Sequence, residues 1–95
     1  MGAILDYRII ETENRWEAIE QFEKMQRRAR IQYGNCYSGT ISELPGVQIY
    51  PLSADDEKSA IDCIANNHEK RGKAQLVRFM DRGITKFMIG GWCSS

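Results

Sequence analysis

Two glycines, Gly34 and Gly72, each close a stretch of helical periodicity and open an extended run, and Gly46 and Gly83 repeat that interval to within one residue. Each half of the chain therefore reads helix, glycine, strand, glycine-containing turn, strand. Glycine enters the left-handed region after a last helical turn at little steric cost, so the first pair reads as helix ends. Two copies are too few for a solenoid, which leaves one sheet layer covered by two helices. At 95 residues the chain suits one hydrophobic core, and residues 1–95 are read as a single domain.

Residues 4 to 10 place Leu5, Tyr7 and Ile9 on one face of a first strand. Asn14, with Glu17 three positions on, caps a helix whose apolar stripe is Trp16, Ile19, Phe22, Met25, Ala29 and Tyr33. Cys36 to Glu43 and Val47 to Leu52 read as a hairpin about Leu44-Pro45-Gly46. Ser53 with Asp56 caps a second helix carrying Ala60, Ile61, Ile64, Ala65 and His68. Residues 74 to 80 and 84 to 91 form a last hairpin around Asp81-Arg82-Gly83.

The order β-α-β-β-α-β-β predicts an α+β fold. Its first six elements match the ferredoxin-like pattern with strand order 4-1-3-2, extended by a fifth antiparallel strand beside the fourth. Both helices are then expected on one face of a five-stranded antiparallel sheet. The inward side chains should include Leu5, Tyr7, Ile9, Ile19, Phe22, Ile49, Ile61, Ile64, Phe87 and Ile89.

Thirteen basic and thirteen acidic side chains cancel, which argues against long-range attraction to nucleic acid or to an anionic membrane. Three widely spaced cysteines, Cys36, Cys63 and Cys93, read as free thiols of a reducing compartment, and the expected location is the cytoplasm. A single histidine, His68, cannot build a His-rich metal centre. On a helix it lies 500° from Cys63, or 140° off that face, so the two should not form a nucleophile and base. The glycines form neither a dinucleotide nor a phosphate loop. No catalytic residue, cofactor or metal is expected. No segment is long and apolar enough to span a membrane, and the start of the chain lacks the look of a secretion signal.

Two basic clusters remain, Arg27, Arg28 and Arg30 near the end of the first helix, and Lys70, Arg71 and Lys73 at the end of the second. Both helices begin acidic, so these cations offset the helix macrodipole. Arg71 to Arg78 starts like an RNA-recognition strand but carries Lys73, Gln75 and Arg78 where stacking rings belong, which removes the platform for bases. Arg27, Arg28 and Arg30 nevertheless adjoin Tyr33 and Tyr37, a combination of cationic forks and amphipathic rings that suits a protein or nucleoprotein partner. Trp92, beyond Gly90 and Gly91, either covers the edge of the core or joins those residues as an anchor.

The passage from the end of the first helix through Tyr33-Gly34-Asn35-Cys36-Tyr37-Ser38-Gly39-Thr40-Ile41 resembles small phage-encoded proteins with a helix followed by a Gly-Thr-Ile strand, anti-CRISPR inhibitors among them. The resemblance covers about a quarter of the chain. It implies a stoichiometric inhibitor that docks on a bacterial defence nucleoprotein and brings no catalytic residue. The expected function is thus a non-enzymatic protein-binding module of this kind. A small-molecule-binding regulatory domain that dimerises is the first alternative, and a nucleic-acid-binding protein working through local basic patches is the second.

Overall fold

The computed structural model describes residues 2–33, 40–69 and 72–94. They form an α+β domain in the order β1 (Ala3–Glu11), α1 (Arg15–Tyr33), a 3-10 turn (Ile41–Glu43), β2 (Leu52–Ser53), α2 (Glu57–Asn67), β3 (Gln75–Asp81) and β4 (Ile84–Ser94). Among the described residues the sheet has four strands, not five, ordered β1-β4-β3-β2. It is mixed rather than antiparallel, because β2 pairs parallel with β3 while β4 pairs antiparallel with both of its neighbours.

The ferredoxin-like expectation fails at the first hairpin. Its first strand lies outside the described residues as far as Gly39, and its remainder turns into the 3-10 turn, with Thr40 accepting the Ser42 N–H. Gln26 explains this departure. Its side chain is buried in α1 and donates to the carbonyls of Ile41 (3.0 Å) and Leu44 (2.9 Å), satisfying backbone that would otherwise seek a strand partner. From the opposite side the Asp6 carboxylate accepts the Ile41 N–H at 2.8 Å. The second expected strand is reduced to a Val47–Ala74 bridge and to β2. Ile49, expected in the core, is 42% exposed in the bend between them.

The two helices lie on opposite faces of the sheet, which corrects the expected single layer. Strands β1, β2 and β3 all run one way. From β1 the chain crosses the whole sheet to β2 at the far edge, then steps back to β3. Crossovers between parallel strands are right-handed in nearly all proteins, so a chain that reverses its direction of travel must return over the other face. Under α1 lie Ile10, Leu76, Phe87, Ile89 and Cys93, packed with Ala18, Phe22 and Ala29. Under α2 lie Leu5, Tyr7, Ile9, Val77, Phe79 and Met88, packed with Ala60 and Ile64.

Local chemistry fixes the element ends. Asn14 caps α1, its Oδ1 accepting the N–H of Trp16 (2.8 Å) and of Glu17 (3.3 Å). The cap of α2 is Asp56 rather than Ser53. It accepts the Ser59 N–H at 2.8 Å, and that bond, then the Ser59 hydroxyl, holds its carboxyl below the ordinary carboxylate range. The β3–β4 turn forms where expected, with positive φ at both Arg82 (53°) and Gly83 (80°), the backbone of a type I′ hairpin. Asp81 and Lys86 brace it at 2.7 Å; their hydrogen bond lowers the carboxyl pKa and raises that of the amine.

Candidate interaction surface

Helix α1 buries Ala18, Phe22, Gln26 and Ala29, with Met25 half-buried beside them. At 100° per residue, Trp16 lies roughly 135° around the helix from the centre of that stripe. It is 54% exposed rather than buried. The nearby Tyr50, in the bend before β2, is 75% exposed. Arg15 joins the two, its guanidinium carbon 4.8 Å from the centre of the Trp16 ring and 5.6 Å from that of Tyr50. A planar cation held near two rings gains electrostatic attraction from both, and it fixes a side chain that would otherwise be free to rotate.

The sequence pattern alone does not reveal this cluster, because the helical spacing sets Trp16 in the apolar stripe and the run Val47 to Leu52 sets Tyr50 in a strand. A signal was present. Ala18, Phe22, Gln26 and Ala29 recur with spacings of four, four and three, and Trp16 fits that series poorly.

The residues singled out from sequence separate into two groups. Arg27, Arg28 and Arg30 are exposed on the last turns of α1, and the Arg30 Nε donates to the Ser42 carbonyl at 3.4 Å. Tyr33 ends the same helix, while Tyr37 lies outside the described residues, as do Lys70 and Arg71 of the second cluster. Trp92 is on β4, half-buried, and its indole N–H donates to the Ala65 carbonyl of α2 at 3.0 Å. Because α2 covers the opposite face from α1, Trp92 is not gathered with the arginines.

An open groove of about 320 Å³ runs between the end of α2 and the start of β3, lined by Gln48, Asn67, Glu69, Gly72, Lys73 and Gln75. This polar lining differs from the mostly apolar walls that hold small organic ligands. Among the described residues no three His, Cys, Asp or Glu side chains gather as metal ligands would, and no helix is long and apolar enough to cross a membrane. Burial, then the negative charges of Asp6 and Glu43, push the Cys93 thiol up to about 12. It is therefore protonated at neutral pH and cannot serve as a nucleophile there. No family model, no curated protein and no solved structure matches the chain.

Proposed function

We propose that this chain is a non-enzymatic protein-binding module that docks through the outer side of α1. The carrying observation is the exposed Trp16–Arg15–Tyr50 cluster. Tryptophan, tyrosine and arginine supply most interface hot spots, and a cluster ordered before binding loses less side-chain freedom on contact. Arg27, Arg28 and Arg30 add a cationic contact toward the other end of α1, about 17 to 22 Å away along the axis at 1.5 Å per residue. A partner engaging both ends must be large and present acidic or phosphate groups beside an apolar patch, as a nucleoprotein does.

The similarity of residues 33–41 to phage-encoded inhibitors supports a bacterial defence complex of the CRISPR type as that partner, met in the host cytoplasm. Purified effector and guide RNA complexes mixed with the protein should co-elute with it and lose target cleavage. The double variants Trp16→Ala/Tyr50→Ala and Arg27→Glu/Arg30→Glu, shown to be folded by circular dichroism, should each weaken the complex tenfold or more. Co-elution unchanged by both would remove this surface from the proposal, and no co-elution with any effector class would remove the inhibitor reading.

A further inference from the structure

Strand β1 is an edge of the sheet, paired only with β4 among the described residues. Its backbone polarity follows from one hydrogen bond. The Trp92 N–H donates to His68 Nδ1, so it does not point at β1, and Leu5↔Trp92 is one of the pairs without ladder hydrogen bonds. Alternation then makes Tyr7↔Gly90 and Ile9↔Met88 pairs of the same kind. The N–H and C=O groups of Leu5, Tyr7 and Ile9 thus point outward from the sheet edge as a template for another strand; the Tyr7 carbonyl already accepts one hydrogen bond there, from Arg8 Nη1 at 2.8 Å, and keeps its second lone pair for a partner N–H.

We infer that β1 joins β1 of a second copy, antiparallel and centred on Tyr7, making one continuous sheet across a two-fold homodimer. An antiparallel partner must meet these odd-numbered groups with odd-numbered groups of its own. The two-fold axis therefore passes through a residue pair, never between residues. Centring on Asp6 sets Asp6 against Asp6 of the second copy, and centring on Arg8 sets two guanidinium groups together. Centring on Tyr7 sets Asp6 opposite Arg8 and Arg8 opposite Asp6. It is also the register in which all nine residues of Ala3–Glu11 find partners.

The remaining pairs agree with that register. Ile4, 49% exposed, meets Ile10, and the half-buried Leu5 meets Ile9. Within one chain Asp6 and Arg8 already lie on the α1 face with an Nη1 to Oδ1 distance of 2.8 Å, so the dimer closes an alternating ring of four charges. On the other face Leu5, Tyr7 and Ile9 of both copies form one apolar row. The self-complementary order is apolar, apolar, acid, Tyr, base, apolar, apolar from Ile4 to Ile10.

Sedimentation equilibrium on the full chain tests this. The unmodified protein should sediment as a dimer, and Arg8→Glu and Asp6→Lys should each sediment as monomers. An equimolar mixture of the two variants should recover the dimer, because each acid then faces a base. Disulfide trapping gives an independent readout with Cys36 and Cys63 replaced by serine. Tyr7→Cys should cross-link between copies, since opposed residues in such a pair lie within disulfide reach, while Asp6→Cys and Arg8→Cys should not. A monomeric unmodified protein at millimolar concentration, a dimer persisting in Arg8→Glu, or cross-linking through position 6 or 8 would each overturn the inference. Should Asp6→Lys fail to fold, the cross-linking pattern decides alone.

Discussion

The Nδ1 of His68 accepts the backbone N–H of Trp92 at 2.9 Å, two residues past the point where β3 ceases to pair with β4. His68 thus stands in for a missing strand, and its Nε2 sits 3.0 Å from the Gly72 carbonyl. With Nδ1 accepting, Nε2 carries the proton and donates, which fixes the tautomer. The ring lies directly over Gly91, where an added Cβ would come within 2.5 Å of it.

His68→Ala should therefore cost roughly 1–3 kcal/mol, by leaving two backbone groups without partners. Gly91→Ala should cost about as much, because the ring must leave its place. The double variant should be less destabilised than the sum of the two, since the His68→Ala change has already removed the ring that the new methyl group would displace. Urea denaturation of the three variants measures this coupling. Strict additivity would show that the ring does not occupy the Gly91 face.

The type I′ turn holds an arginine in the left-handed region at Arg82, where a Cβ costs about 1 kcal/mol and asparagine is better tolerated. Arg82→Asn should raise the unfolding free energy by roughly 0.5–1 kcal/mol and leave the sheet unchanged. Unchanged or lower stability in thermal unfolding would contradict this.

The last hairpin was legible because its cause is local: Asp81-Arg82-Gly83 sets the turn, and the flanking residues set the strands. The Asn14 cap of α1 was legible for the same reason, whereas α2 ends at Asn67 with His68 as its cap and not at Gly72. What failed was long-range. Leu76-Val77 and Phe87-Met88-Ile89 are unbroken apolar runs, the mark of strands covered on both faces, yet Phe87 and Ile89 alone were read as inward. The parallel β2–β3 pair has no local signature at all. The conversion of an expected strand into a 3-10 turn depends on Gln26, which lies 15 residues before Ile41. A buried amide cannot be told from an exposed one by residue type.

Cys93 is 1% exposed, and its thiol is raised from its ordinary value of 9.0 to about 12. Between those limits the unfolded chain has released its proton while the folded chain retains it, so stability falls as pH rises, by up to about 1.4 kcal/mol per pH unit. Cys93→Ala lowers stability at neutral pH through lost packing but should lessen this alkaline slope. Comparing urea midpoints of both proteins from pH 8 to 11 isolates the thiol, because the other titrating groups are shared. Parallel pH profiles would refute it. Under native conditions a thiol reagent should also modify the half-buried Cys63 well before Cys93.

The two tryptophans report on opposite faces of the molecule. Trp16 is 54% exposed and touched by Arg15, whereas Trp92 is half-buried with its indole N–H on the Ala65 carbonyl. In Trp92→Phe, where Trp16 alone emits, fluorescence should be red-shifted and strongly quenched by acrylamide. In Trp16→Phe, where Trp92 alone emits, it should be blue-shifted and quenched several-fold less. The stabilities should diverge as well. Trp16→Phe alters a surface ring and should stay within about 0.5 kcal/mol of the unmodified protein. Trp92→Phe removes a donor from a carbonyl on the last turn of α2 and should cost roughly 1 kcal/mol or more. Equal quenching of the two variants would deny that Trp16 is the exposed ring, and the aromatic docking surface would lose its centre.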